Sequence, residues 1–180
     1  MKHLNEETIR KESIYSGRII DLSVHDVKLP NGKESKREVV YHPGAVAVIA
    51  FTKEGKLILV KQFRKPLEKV IAEIPAGKLE KGEDPLECAK RELEEETGEI
   101  AENWVSLGSF YTSPGFADEC IHLFLAEGLS EGIAGTDEDE FVEKMEVTLD
   151  EALTMVEQQE IHDAKTVFAV QYWQLKNKMK

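Results

Sequence analysis

The sequence predicts a layered α/β domain preceded by a β-hairpin. Three observations carry that prediction: an Asn31-Gly32 turn between two strand-like runs, an almost wholly apolar segment from Val46 to Thr52, and a helix punctuated at both ends between Asp84 and Gly98. Strands interleaved with two or three helices are the pattern of an α/β or α+β fold. At 180 residues, 41% of them hydrophobic, the chain suits one domain with its own core and a modest extension.

Residues 16–41 read as the hairpin. Ile19-Ile20-Asp21-Leu22-Ser23-Val24 leads to the turn at Pro30-Asn31-Gly32-Lys33, and Arg37 to Tyr41 returns. Pro43-Gly44 breaks the pattern, so an N-terminal β subdomain is expected over residues 1–43 and the main domain over 44–180. Val46 to Thr52 is the next strand, Lys53-Glu54-Gly55 turns, and Leu57 to Arg64 continues with Leu57, Leu59 and Val60 available to the core. Val70-Ile71-Ala72-Glu73-Ile74 is followed by a stop and a loop at Pro75-Ala76-Gly77.

Asp84 is a good N-cap for the first helix, Pro85 takes its first position, Glu87 is placed to complete a capping box, and Gly98 supplies the stop. Ile121 to Ala126 reads as a buried strand. Thr148-Leu149-Asp150-Glu151 opens a second helix with a capping box of its own. Asp163 caps a third, whose core side includes Val167, Ala169, Val170, Trp173 and Leu175. The chain has no internal repeat and no low-complexity segment.

A formal net charge of -12 makes the surface a poor partner for nucleic acid or an anionic membrane. A phosphate-bearing substrate would need a cation to mediate its binding. Cys88 and Cys120 form neither a disulfide framework nor a zinc pattern. The longest apolar run, Ala45 to Phe51, is too short to cross a bilayer, and Met1 to Glu7 contains no apolar signal region, so a soluble cytoplasmic protein is expected. The five histidines, His42, His122 and His162 among them, show no ligand spacing.

On an ideal helix Glu92, Glu95 and Glu96 fall within an arc of roughly 100°. Leu86, Ala89, Leu93 and Thr97 occupy the neighbouring face. Glutamate runs are commonly solvated helix faces. Three carboxylates this close repel one another, and a hard divalent cation such as Mg²⁺ relieves that by taking oxygen ligands from them and from substrate phosphates. Glu83 stands on the loop entering the helix, and Arg91 precedes Glu95 by four residues, where it can orient that carboxylate.

The whole stretch resembles the Nudix box: a glycine, five residues, Glu, seven residues, Arg-Glu, an apolar residue, any residue, Glu-Glu, any residue, Gly and an apolar residue. Gly77, Glu83, Arg91, Glu92, Leu93, Glu95, Glu96 and Gly98 match it. Matching the seven fixed residue types by chance would happen about once in 10⁷ windows. The final position departs, with Glu99 in place of an apolar residue, and Ile100 is expected to take over its packing.

The resemblance implies the Nudix fold, a mixed β-sheet sandwiched between helices, with the N-terminal β-hairpin subdomain attached. It implies Mg²⁺, with Mn²⁺ as a substitute, held by Glu92 and Glu96, with Glu95 and Glu83 supporting and the carbonyl of Ala76 as a backbone ligand. Tyr111-Thr112-Ser113-Pro114-Gly115-Phe116 places Pro114 about fifteen residues beyond the box, which resembles the ADP-ribose pyrophosphatase subfamily, as do Gln62-Phe63-Arg64 and Glu73-Ile74-Pro75-Ala76-Gly77.

By that likeness Arg64 binds the substrate's phosphates, Ile20 and Arg37 bracket the adenine, and the N-terminal hairpin forms a homodimer. The acidic loop Gly132 to Glu140 would supply a catalytic glutamate, Glu140 first and Glu138 second, to deprotonate the attacking water, with Glu95 also among the catalytic candidates. The implied reaction is hydrolysis of the pyrophosphate of ADP-ribose to AMP and ribose 5-phosphate. A pyrophosphatase for another nucleoside diphosphate sugar and a non-catalytic nucleotide-binding regulator are the alternatives.

Overall fold

The computed structural model describes residues 2–133, 135 and 141–178. The chain divides into two compact units, Met1–Gly44 with Phe110–Ile121, and Ala45–Ser109 with His122–Lys180.

The first unit is built on an antiparallel sheet of β1 (Glu7–Ser16), β2 (Asp21–Lys28) and β3 (Glu34–Tyr41), in that order. The predicted hairpin is β2–β3, in register from Asp21 opposite Tyr41 to Lys28 opposite Glu34. Its turn closes through Gly32 at φ 83, the left-handed region that glycine enters without steric cost. Ile20 belongs to the turn before β2, where the Gly17 amide donates to the Ile20 carbonyl at 3.0 Å, rather than to the expected strand. Strand β1 was not foreseen. All ten of its residues are exposed, so no buried stripe marks it in the sequence. Its backbone pairing with β2 makes it a strand, with register shifts between Thr8 and Arg10 and between Ser13 and Tyr15.

The second unit contains β4 (Ala45–Ala50), β5 (Leu57–Arg64), β6 (Lys69–Glu73), β7 (Ala76–Lys78), the helix α1 (Pro85–Thr97), β10 (Val142–Val147), and the helices α2 (Leu149–Glu157) and α3 (Ala164–Lys178). Two long strands, β8 (Glu99–Tyr111) and β9 (Cys120–Glu131), belong to it over residues 99–109 and 122–131. One sheet runs β10-β5-β6 and the other β7-β4-β9-β8. The loop expected after Pro75 is a short strand instead, because Ala76, Gly77 and Lys78 pair with Ala47, Val46 and Ala45.

Every residue of β4 is buried, as expected of a strand covered on both faces. Val46, Val48 and Ala50 pack with Ala89 and Leu93 of α1 and with Phe124 of β9. Side chains alternate along a strand, and the opposite set ends at Phe51, whose ring lies 5.1 Å from that of Trp173 on α3. The sheet is therefore held between helices. Truncating the fully buried Leu93 to alanine would cost about 2–5 kcal/mol. On α3, Ala169, Val170 and Trp173 are buried, but Leu175 is 60% exposed. Two positions past Trp173 corresponds to roughly 200° around the helix, which turns Leu175 away from the core. Among the described residues no helix is long and apolar enough to cross a membrane.

Candidate active site

Helix α1 carries the densest charge chemistry, and local rules fix where it begins and ends. The Asp84 carboxylate accepts hydrogen bonds from the amides of Leu86 and Glu87 at 2.9 and 3.3 Å, and Pro85 takes a position where no amide is needed. Gly98, at φ 71, closes the helix by donating to the Glu94 carbonyl at 2.8 Å. Glu87 does not complete the expected capping box. Its carboxylate accepts from Lys90 Nζ at 2.7 Å, one helical turn on. The box expected at Thr148 and Glu151 is formed.

Glu92, Glu95 and Glu96 do not splay into solvent together. Glu92 and Glu96 are 7% and 6% exposed, while Glu95 is half-buried. Glu96 Oε2 accepts from the Ala76 amide at 3.0 Å. Glu92 lies against Gly77 so closely that a Cβ there would sit 1.9 Å from its carboxyl carbon. The glycine that opens the sequence motif is thus the space that the Glu92 carboxylate fills.

Arg91 ties this cluster together. Its Nε and Nη2 donate to the two oxygens of Glu83 at 3.1 and 3.2 Å, and Nη1 donates to Glu92 at 2.8 Å and Glu95 at 2.9 Å. The pairing with Glu95 foreseen from spacing is one part of a four-residue network. The Arg91 hydrogen bonds, reinforced by the Glu80 amide, hold Glu83 down at about 2. Those bonds with Glu83 first, and then the charge of Glu92 and the hydrogen bonds with Glu95 and Glu92, raise Arg91 above its ordinary value. Burial first, and then the Glu83 carboxylate, push the neighbouring Cys88 thiol up to about 12, so it is an inert packing group.

Among the described residues no three His, Cys, Asp or Glu side chains already surround one cation position. In kind, however, the donor set fits a hard divalent cation. Glu92 and Glu96 are buried carboxylates on one helix face, Glu83 and Glu95 are linked to Glu92 through one guanidinium, and every donor is oxygen.

A second charge network lies at the approach to β7. Arg64, at the end of β5, donates through Nε and Nη2 to the two oxygens of Glu73 at 2.6 and 3.0 Å. Glu73 is 2% exposed and also accepts from Lys165 Nζ on α3. Arg64 is near enough to Glu96 for that charge to raise its pKa, after the larger effect of the Glu73 hydrogen bond. Sequence reading named Arg64 but missed Glu73 and Lys165. The available signal was a carboxylate inside the apolar run Val70 to Ile74, since a buried charge needs a cationic partner.

Ile20, Arg37 and Pro114 belong to the first unit, and the residues discussed above to the second. Arg37 is paired with Glu6 at 2.9 and 2.5 Å, and Ile20 is 37% exposed. Pro114 occupies an exposed turn fastened to β3: the Val40 amide donates to the Phe116 carbonyl at 2.8 Å, and the Asp118 amide to the Val40 carbonyl at 3.1 Å. Glu138 and Glu140 lie outside the described residues. The stem leading to them is attached to α1, with the Gly132 amide donating to the Gly98 carbonyl at 2.8 Å and the Ile133 amide to Glu94 Oε1 at 3.1 Å.

The expectation that Ile100 replaces the missing apolar residue is wrong. Ile100 is 41% exposed, and Glu99 forms an ion pair with Lys144 at 2.5 Å. That pair borders a cleft of about 550 Å³ at the C-terminal end of α1, lined also by Thr97, Gly98, Gly132 and Glu146.

The chain is similar to several known proteins. Residues 40–169 match the NUDIX domain, and residues 6–40 match the nucleoside diphosphate sugar hydrolase N-terminal domain. The chain is 66% identical to an ADP-ribose pyrophosphatase of Bacillus subtilis (strain 168), covering 98% of this chain and 96% of that protein. It is 62% identical to a methanol dehydrogenase activator of Bacillus methanolicus, covering 99% and 98% respectively. It is 34% identical to a GDP-mannose pyrophosphatase of Cronobacter sakazakii, covering 98% of each. The crystal structure of an ADP compounds hydrolase superposes with a TM-score of 0.83 over 96% of this chain and 95% of its own, at 23% identity, a likeness of fold. With the domain match spanning most of its length and every charged position of the box filled, the chain belongs to the Nudix hydrolase family.

Proposed function

We propose that this enzyme hydrolyses the pyrophosphate bond of nucleoside diphosphate sugars, with ADP-ribose as its leading substrate and AMP and ribose 5-phosphate as products. The observation that carries the reading is the burial of Glu92 and Glu96 against Ala76 and Gly77. With Glu83 and Glu95 joined to Glu92 through Arg91, these carboxylates make an all-oxygen donor set of the kind a hard divalent cation takes. The likeness to the Bacillus subtilis ADP-ribose pyrophosphatase supports the choice of substrate. The 34% likeness to a GDP-mannose pyrophosphatase keeps other nucleoside diphosphate sugars as the alternative.

Glu92 and Glu96 would hold Mg²⁺, or Mn²⁺ in its place, with Glu95, Glu83 and the Ala76 carbonyl contributing. When bound, the metal supplies charge neutralisation at the diphosphate and a water of lowered pKa. Arg64 uses Nε and Nη2 on Glu73, so its Nη1 edge is the part of the guanidinium left for non-bridging phosphate oxygens. Glu140, or failing that Glu138, takes the proton of the attacking water, which requires only hydrogen-bond reach. Glu95, joined to Arg91, assists from the helix.

Residues 44–180 form the catalytic domain in this reading, while residues 1–43 provide dimerisation and adenine contacts through Ile20 and Arg37, with the Pro114 turn contributing to substrate binding. The homodimer is supported by the outward side chains of β1, where Ile9, Ile14 and Tyr15 are 54%, 53% and 57% exposed, a surface that soluble chains usually cover. The enzyme acts in the cytoplasm and on neither nucleic acid nor membranes, in keeping with its net charge of -12.

A second reading, that the chain also activates a dehydrogenase, rests on its 62% likeness to the methanol dehydrogenase activator. Chromatography of ADP-ribose digests with and without Mg²⁺ tests the principal reading. AMP and ribose 5-phosphate released only with the metal support it, and the absence of metal-dependent AMP release overturns it.

A further inference from the structure

The charge network behind Arg64 is larger than a surface arginine needs. Glu73 is 2% exposed, Lys165 is 9% exposed, and both sit in the second unit. Lys165 Nζ bridges Glu73 Oε2 and Asp163 Oδ1, the latter at 2.8 Å. The start of α3 and the segment that precedes it fasten the backbone on either side of Glu73. Thr166 Oγ1 accepts from the Ile74 amide at 3.0 Å, and the Glu160 carbonyl accepts from the Ala72 amide at 2.9 Å. Glu73 is thus immobilised through its side chain and both neighbouring peptides, while Arg64, whose side chain is 39% exposed, reaches outward from it.

A guanidinium gripped through Nε and Nη2 by a fixed carboxylate has its plane determined, because the two parallel hydrogen bonds leave no free rotation about the terminal torsions. A flexible arginine would lose that freedom only on binding an anion, and the entropy cost would weaken binding.

We propose that Glu73 and Lys165 are positioning residues for Arg64: the buried Glu73 carboxylate, held from α3 by Lys165, presets the guanidinium so that its Nη1 edge faces incoming diphosphate. The inference rests on Arg64 binding the diphosphate, as proposed above. Glu73 and Lys165 touch no substrate. Their effect passes through Arg64.

The test uses the full-length enzyme and steady-state kinetics on ADP-ribose with saturating Mg²⁺. Arg64→Ala should raise KM about tenfold or more. Glu73→Asp keeps the charge but withdraws the carboxylate by about 1.5 Å, and it should raise KM about tenfold while kcat changes less, since displacement of a binding group by such a distance is costly. In an Arg64→Ala background, Glu73→Asp should add nothing, because the two act as one unit. The charge-neutral double variant Glu73→Gln with Lys165→Met guards against a folding defect. It should recover a near wild-type melting temperature yet retain the raised KM, whereas a purely structural network would recover both. A near wild-type KM for Glu73→Asp beside a raised KM for Arg64→Ala overturns the positioning role alone. An unaltered KM for Arg64→Ala overturns the phosphate-binding reading and the positioning role with it.

Discussion

A Cβ on Gly77 would lie 1.9 Å from the carboxyl carbon of Glu92, a separation no pair of non-bonded carbons can hold. The conflict is one of space, because strand β7 fixes Gly77 opposite Val46 and helix α1 fixes Glu92 beside it. Gly77→Ala must therefore expel the carboxylate or part the strand from the helix. The expected cost is about 1–3 kcal/mol in stability, the usual penalty for overfilling a packed site, with turnover falling further than stability. Thermal unfolding and kcat measured on the same preparation check this.

Arg91 sets a pH dependence. A carboxylate whose folded pKa lies below its unfolded value adds stability above the unfolded value and gives it up as pH falls through the folded one. Glu83 is lowered from 4.5 to about 2, chiefly by its hydrogen bonds from Arg91. Its contribution is therefore complete above about pH 5 and is lost between there and pH 2. Denaturant titrations across that window should show stability declining in the wild type, and a shallower decline in Arg91→Met. Equal slopes in the two proteins would refute the link.

Arg91→Met should also make the metal-free protein less stable. It leaves Glu83, Glu92 and Glu95 without their shared cation, and breaking a partly buried charge network costs up to about 3–5 kcal/mol. Adding Mg²⁺ should restore more stability to this variant than to wild type, because the ion then relieves repulsion that Arg91 had relieved before. Melting temperatures with and without Mg²⁺ decide the matter.

The Cys88 thiol, buried and held at about 12 beside Glu83, should resist alkylation in the native state at pH 8 and react on unfolding. Mass spectrometry after iodoacetamide treatment, native and denatured, reads this directly.

The parts of this molecule that were legible in the sequence are those set by neighbours in the chain. Asp84, Pro85 and Gly98 marked the ends of α1 because capping is a local matter, and the apolar run before Thr52 marked β4 because that strand is buried on both faces. What was missed depends on residues far apart. Strand β1 exists through pairing with β2, β7 through pairing with β4, and Glu73 finds Lys165 across 92 positions. Glu87 satisfied the spacing of a capping box and was taken by Lys90, an interaction of equal locality that the pattern did not rank. At the site itself, spacing placed Glu92, Glu95 and Glu96 on one face of α1. It did not distinguish the two that are buried from Glu95, because that depends on where Ala76 and Gly77 return.

The direct test of the central claim is the turnover of Glu96→Gln on ADP-ribose at limiting Mg²⁺. Glutamine keeps an oxygen to accept from the Ala76 amide, so the fold should survive with little change in melting temperature. If Glu96 lends its charge to a cation at the diphosphate, kcat should fall by at least about 10²-fold, the scale of losing one preorganised charge-stabilising group. Turnover close to that of the wild type would contradict the account.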